Sequence, residues 1–256
     1  MTRGIALVRR PGDRLADGLV THIERSDVDV ALARRQHAAY RAALADAGWQ
    51  VREVDPADQC PDAVFVEDTV VVCDGLAVLS RPGAPERRPE LPGAEKAVRE
   101  AGLEVVRVEV PGTLDGGDVL QVGTTVYVGR GGRTDDAGVD QLRAHLASRG
   151  RTVVPVPLRE VLHLKSAVTA LPDGTLLALP DLFDADALGR PVRAVDEEAG
   201  CHVVPLGDDL VLLAASAPRT AALVAELGFT PVVVDISEYE KLEGCVTCLS
   251  VLIPAP

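Results

Sequence analysis

The chain ends in "EKLEGCVTCLSVLIPAP", which sets two cysteines, Cys245 and Cys248, three residues apart. Such a pair can be a redox couple, half of a metal site, or the setting of a single nucleophile. A redox pair usually opens a helix, whose N-terminal dipole lowers a thiol pKa, but "LSVLI" after Cys248 reads as a strand. There is no second cysteine pair and no histidine pair at ligand spacing, so no metal is expected. Two small residues buried at a strand start are the plainer reading of either cysteine alone, and Cys60, Cys73 and Cys201 are read that way. A nucleophilic cysteine needs an acid–base partner and a carboxylate to orient it. The histidines are His22, His37, His145, His163 and His202. His37 and His145 fall on charged helical faces and are expected to be solvated, and His202 falls in an alternating strand. His163, in "REVLHLKSAVTAL", stands at the mouth of a strand beside Lys165 and Ser166 and is the candidate partner.

The acids are placed more tellingly. "CPDAVFVEDTVVV" puts Asp62, Glu67 and Asp68 around a stretch that is otherwise wholly apolar, where burying charge is costly unless something positive sits nearby. "TLDGGDVLQV" repeats the device with Asp115 and Asp118, and Gly116-Gly117 permits close backbone approach. A plain turn with an N-terminal acid would explain one such stretch less strainedly than two. A thiol, an imidazole and several carboxylates suit a planar cation. Carboxylates would hold a guanidinium or amidinium through paired charge-assisted hydrogen bonds while the thiolate attacks its central carbon.

Elements that could gather these residues recur along the chain. Five segments read as a helix, a glycine stop and a valine-rich strand, ending in "ADAGWQVREVD", "REAGLEVVRVE", "ASRGRTVVPVP", "EEAGCHVVPLG" and "AELGFTPVVVD". Their glycines, Gly48, Gly102, Gly150, Gly200 and Gly228, stand where helix C-caps are expected. Hairpin signals fall at Asp74-Gly75, Gly123, Asp173-Gly174 and Gly207-Asp208. "CLSVLIPAP" lacks a local partner, and "GIALVRR" near the start is an unpaired strand of the right kind. The economical fold is α/β: five strand-rich units in a ring, closed by the N- and C-terminal strands, with no long edge exposed. A doubly wound parallel sheet is the alternative, but hairpins within each unit and the lack of a glycine-rich phosphate loop count against it.

With 256 residues, 47% of them hydrophobic, the chain can build ample core, and no low-complexity linker divides it. "SRPGAPERRPELPG" reads as a surface loop. The net charge of −13 and 3% aromatic content speak against nucleic acid and anionic membranes as partners. No apolar run approaches the ~20 residues of a membrane span, and Ile5–Val8 is too short for a signal peptide, so a cytoplasmic location is expected. Five cysteines, an odd number, are expected to be free thiols.

The chain resembles the dimethylarginine dimethylaminohydrolase family, part of the guanidine-modifying (pentein) superfamily with arginine deiminases and amidinotransferases. The resemblance runs along nearly the whole chain and rests on the order and spacing of "PDAVFVEDTVVVC", "SRPGAPERR", "TLDGGDVL", "GRT", "LHLKS" and "EKLEGCVTCLSVLI". It implies a five-bladed α/β propeller, with residues 1–256 forming a single catalytic domain, as monomer or homodimer. It implies Cys248 as nucleophile, His163 as catalytic histidine and Asp115 as the acid orienting it, with Cys245 a bystander. It further implies that Asp68 holds the guanidinium with Asp62 and Glu67 near the substrate. Arg87 and Arg133 would bind the amino-acid end, and Val20, in a lid segment, and Leu242 would make backbone contacts. No cofactor is implied. The expected reaction is hydrolysis of mono- or dimethyl-L-arginine to L-citrulline through a covalent thiouronium, with a cationic amino acid as small-molecule partner. Arginine deimination is the nearest alternative. Those enzymes typically carry an acid two residues after the histidine, where Lys165 stands here. A propeller that binds cations without turnover, amidine transfer and agmatine hydrolysis are the others. Arg87 and Arg133 speak against agmatine, which has no carboxylate.

Overall fold

The computed structural model describes residues 2–255; Met1 and Pro256, at the ends of the expected domain, lie outside it. Among the described residues the strands are β1 (Gly4–Val8), β2 (Gln50–Glu53), β3 (Val70–Cys73), β4 (Leu76–Leu79), β5 (Glu104–Arg107), β6 (Val119–Val122), β7 (Thr125–Arg130), β8 (Thr152–Pro157), β9 (Val168–Ala170), β10 (Leu176–Ala178), β11 (Arg193–Ala194), β12 (Val203–Gly207), β13 (Leu210–Ala214), β14 (Thr230–Val234) and β15 (Val251–Pro254). They form five three-stranded sheets of one design: β15-β1-β2, β3-β4-β5, β6-β7-β8, β9-β10-β11 and β12-β13-β14. In each sheet the first two strands are antiparallel and the third runs parallel to the second. A parallel step needs a crossover. Helices α1 (Val30–Asp46), α2 (Leu91–Glu100), α3 (Asp136–Leu146) and α4 (Pro218–Glu226) supply four of the five. The result is a five-bladed α/β propeller.

The ring closes through its ends. Gly4 pairs with Pro254 and Leu7 with Val251, so the N-terminal strand completes the last blade. The four hairpins turn where expected. Asp74 and Gly75 both take positive φ (47° and 76°), the backbone that a two-residue hairpin turn demands, while in the last hairpin Gly207, at the end of β12, and Asp208, in the turn, do so (104° and 50°) beside a register shift.

Four of the five expected glycine stops have left-handed φ: Gly48, Gly102, Gly150 and Gly228. The fourth unit departs from expectation. Its crossover, between β10 and β11, contains only the short 3₁₀ turns Pro180–Leu182 and Ala185–Leu188 and ends at Gly189 (φ 61°). No α-helix forms between Pro180 and Pro191. Gly200 instead lies in the turn Glu198–Cys201 that leads into β12. The first strand of every blade is entered through such a turn: Val66–Thr69, Gly116–Asp118, Leu164–Ser166, Glu198–Cys201 and Thr247–Leu249.

Two further expectations are corrected. His37 is buried, and burial followed by the neighbouring Arg41 lowers its imidazole to about 4. It shares the buried face of α1 with Ala33, Tyr40 and Leu44. "SRPGAPERRPELPG" is no surface loop: Arg87 and Glu90 within it are buried, because their charges satisfy one another and Asp68. No helix among the described residues is long and apolar enough to cross a membrane.

Candidate active site

The blade-entry turns bring the reactive residues together. A small cavity of about 20 Å³ is lined by Asp62, Asp68, Arg87, Arg133, His163, Leu242 and Cys248, with Leu19, Phe65, Leu162, Glu243 and Gly244 completing the wall. Cys248 comes from Thr247–Leu249, Asp68 from Val66–Thr69, and His163 caps Leu164–Ser166. Residues distant in sequence thus meet because each occupies the same station of a repeated unit.

His163 is held from behind. Its Nε2 lies 3.0 Å from Asp115 Oδ2, and Asp115 Oδ1 accepts the Gly83 N–H at 2.9 Å. Asp115 is itself fully buried. Burial opposes the charge on His163, but Asp68, Asp118 and Asp115 outweigh it and lift the imidazole to about 9. His163 is therefore an imidazolium at neutral pH. Asp68 Oδ1 is 3.8 Å from His163 Nδ1 and accepts the Gly117 N–H at 2.9 Å, while Oδ2 pairs with Arg87. Burial would raise this carboxyl, but His163 and Arg87 hold it down at about 2.

The glycines are required here. A Cβ on Gly117 would stand 2.6 Å from Asp68 Oδ1 and 2.7 Å from His163 Nδ1. One on Gly116 would stand 2.0 Å from the Glu67 carbonyl. Asp118, the second acid of "TLDGGDVLQV", and Thr134, which the sequence did not single out, complete the support. Thr134 donates its hydroxyl to Asp118 (2.6 Å) and accepts the Asp115 N–H (3.1 Å). Asp118 accepts the Leu164 N–H (2.9 Å), fixing the turn that carries His163. Thr134 belongs to the "GRT" stretch and Asp118 to "GGD", but only the fold reveals that they meet.

Cys248 is buried, and its N–H donates to the Cys245 carbonyl at 3.1 Å. Tyr40 of α1 donates to the Val246 carbonyl at 2.8 Å and holds this loop in place. The two sulfurs are 3.1 Å apart. Contact with Cys245, then burial and the Cys245, Glu67 and Asp68 charges all push the Cys248 thiol up. Cys245 is held low by the hydrogen bond from Cys248, against burial and with help from His202.

Of the expected residues, Glu67 and Val20 do not line the cavity, while Arg87 and Asp62 line it and also make structural contacts. Glu67 pairs with Lys165, and both face a second, larger cavity of about 660 Å³. Burial lifts Glu67 to about 7, with Lys165 opposing. Arg87 donates from Nε and Nη2 to Glu90 (3.0 and 2.9 Å), from Nη1 to Asp68, and from Nη2 to the Asp62 and Phe65 carbonyls (3.2 and 2.9 Å). It braces the wall that it lines. Asp62 accepts the Leu19 N–H through both oxygens (3.1 and 3.2 Å) and so ties the lid segment down. Burial raises its carboxyl to about 6, with Arg87 opposing. Leu19, not Val20, reaches the cavity; Val20 packs against the core beside α1. Arg133 is lightly engaged, 3.5 Å from Thr21 Oγ1 and 3.8 Å from Asp115, and is free to grip a carboxylate.

No protein-family model matches the chain. A protein of Streptomyces coelicolor named N(G),N(G)-dimethylarginine dimethylaminohydrolase is 60% identical over 246 residues, covering 96% of this chain and 95% of its own. One of the same name from Pseudomonas aeruginosa is 35% identical over 252 residues, 95% of this chain and 97% of its own. Among solved structures, DDAH from Pseudomonas aeruginosa, as a cysteine-to-serine mutant complexed with citrulline, superposes with a TM-score of 0.92 at 32% identity, covering 99% of this chain and all of that one.

Proposed function

The chain belongs to the dimethylarginine dimethylaminohydrolase family, and from that membership and the cavity geometry we propose how it works. It hydrolyses Nω-methylated L-arginine to L-citrulline, releasing dimethylamine or methylamine. The observation that carries the assignment of roles is the convergence of Cys248, His163 and Asp68 on one cavity, with Asp115 fixed behind the imidazole at 3.0 Å.

Asp68, ionised far below neutrality, pairs with the incoming guanidinium. Arg133 and the remaining Nη1 hydrogen of Arg87 receive the amino-acid carboxylate, and Leu19 and Leu242 enclose the chain between them. A bound cation offsets the acids that hold a proton on Cys248, so thiolate formation is coupled to substrate arrival. The thiolate attacks the guanidinium carbon. The His163 imidazolium gives its proton to the departing amine, leaving a covalent thiouronium on Cys248. His163, now neutral, takes a proton from water, which adds to the same carbon. Collapse breaks the carbon–sulfur bond, the adduct's hydroxyl proton passes to the Cys248 sulfur to restore the thiol, and citrulline is freed. Asp115 keeps the Nδ1 face of His163 toward the cavity throughout.

Lys165 supports methylated substrates over arginine. It is drawn to Glu67, so no carboxylate from that position meets the reacting nitrogen. A dimethylated nitrogen has no N–H to offer such an acid and would leave it desolvated and unpaired. We further propose that the chain acts as one catalytic domain, since its cavity is walled by several blades, and that it works in a reducing cytoplasm, in keeping with its five free buried cysteines.

A citrulline assay over arginine, monomethylarginine, both dimethylarginines and agmatine tests the assignment. Turnover of methylated arginines alone is expected, and rapid citrulline production from arginine would reverse it. Cys248→Ser should abolish turnover with the fold intact; an unaltered rate removes it as nucleophile.

A further inference from the structure

The mechanism leaves Cys245 unused, yet its Sγ is 3.1 Å from that of Cys248. The Cys248 N–H to Cys245 carbonyl bond closes a tight turn between them. Such a turn keeps the two α-carbons within ~7 Å, and a disulfide spans roughly 4.4–6.8 Å between α-carbons. The sulfurs, already 3.1 Å apart, need to close to the ~2.05 Å of a bond. Both are buried, but Cys248 is among the residues that line the catalytic cavity and Cys245 is not.

We infer that Cys245 and Cys248 form a dithiol modification site, at which a small organic disulfide entering the catalytic cavity is reduced and the nucleophile is locked, reversibly, into an intramolecular disulfide with Cys245. The inference deepens the proposed function and rests on Cys248 being the nucleophile.

The chemistry balances. The Cys248 thiolate attacks one sulfur of the disulfide RSSR, forming Cys248–S–SR and expelling RS⁻. Cys245, as thiolate, then attacks the Cys248 sulfur, forming the Cys245–Cys248 bond and expelling the second RS⁻. Two protein thiols are oxidised, one disulfide is reduced to two thiols, and the two protons lost by the cysteines go to the departing thiolates. The surroundings suit Cys245 as resolving thiol. The His202 charge favours its anionic form, and Thr247 Oγ1 lies 3.1 Å from its sulfur. Both partners remain when the Cys248 sulfur is blocked. In a reducing compartment the dithiol is the resting form, so the device silences the enzyme only under oxidation and releases it when thiols return.

The experiment treats the reduced full-length protein with cystamine and reads the tryptic peptide that follows Lys241, which holds both cysteines. The wild type is expected to give that peptide short of two hydrogens and free of cysteamine, with activity lost in step and recovered on adding dithiothreitol. Cys245→Ala and Cys245→Ser are expected to keep a cysteamine adduct on Cys248 and never to form the internal bond. A wild-type peptide that retains the adduct, or stays reduced, overturns the inference even if neither variant folds. The peptide mass scores the disulfide without reference to turnover. Reduced Cys248→Ser assayed alongside scores the nucleophile, so the two ideas fail separately: an active Cys248→Ser sinks the mechanism, and an unlinked wild-type peptide sinks only the dithiol.

Discussion

Replacing Asp115 by Asn tests the arrangement at its least visible point, because Asp115 never touches the cavity. It lifts His163 through both a hydrogen bond at 3.0 Å and its charge. A hydrogen bond to a charged group contributes roughly 1.5–3 kcal/mol, and 1.36 kcal/mol is one pKa unit. Loss of the carboxylate should therefore lower His163 by about one to two units, from about 9 to about 7–8, since Asp68 and Asp118 remain. The tautomer changes as well. If the Asn oxygen keeps the Gly83 N–H, its NH₂ faces His163 Nε2 and forces that nitrogen to accept, which favours the neutral ring. On the proposed mechanism the imidazolium gives its proton to the leaving amine, so activity should fall as pH rises through its pKa. The alkaline limb of kcat/KM, which reports the free enzyme, should move down by that amount, and kcat at neutral pH should fall by roughly 10²–10⁴-fold. Titration of the His163 ring by NMR reads the shift directly. A limb still near 9, with kcat within about threefold of wild type, would refute the orienting role.

Other substitutions probe the neighbours. Gly117→Ala should abolish turnover while leaving the circular dichroism of the fold unchanged, because its methyl would stand 2.6–2.7 Å from Asp68 and His163; an active variant would show that the pair tolerates displacement. Lys165→Met leaves Glu67 largely buried without a partner and should cost roughly 3–5 kcal/mol in chemical denaturation, with Glu67→Gln in the same chain restoring much of it. Glu243 accepts the Thr21 and His22 N–H groups, so Glu243→Ala should loosen the lid, raising KM more than it lowers kcat and speeding amide exchange at residues 21–22. The raised His163 also stabilises the fold, fully below its ordinary 6.5 and progressively less as pH rises through about 9. The melting temperature should accordingly carry a decline across that interval that Asp115→Asn flattens.

Much of this was legible before any coordinates, for one reason. A repeated unit makes position within the repeat a spatial coordinate, so acids interrupting apolar strand entrances at Asp68 and Asp115 already pointed to a shared centre. The hairpin glycines and the unpaired end strands specified the ring in the same way. Where one local sequence suits two environments, position in the repeat is ambiguous. Gly200 follows "EEA" as Gly102 follows "REA", yet the fourth crossover forms only short 3₁₀ turns and its left-handed glycine is Gly189.

Side-chain partnership across blades was the harder quantity. Glu67 and Asp68 are adjacent acids on one turn, and nothing local says which faces the substrate. Lys165 decides it by capturing Glu67 from another blade, while Arg87 and the Gly117 N–H capture Asp68. Arg87 was legible as a cation near the site, but not its debt to Glu90, without which one carboxylate and one guanidinium would be buried with fewer partners. The same limit hid Cys245. Sequence spacing alone permits a bystander or a partner, and the distinction lies in whether the turn aims both thiols inward. Here a turn steadied by Tyr40 aims them at each other. If Cys248 is the nucleophile, as proposed, the neighbouring acids that push its thiol up would protect it from stray electrophiles, and an oxidised Cys248 sulfur would have the Cys245 sulfur 3.1 Å away to resolve it before further oxidation.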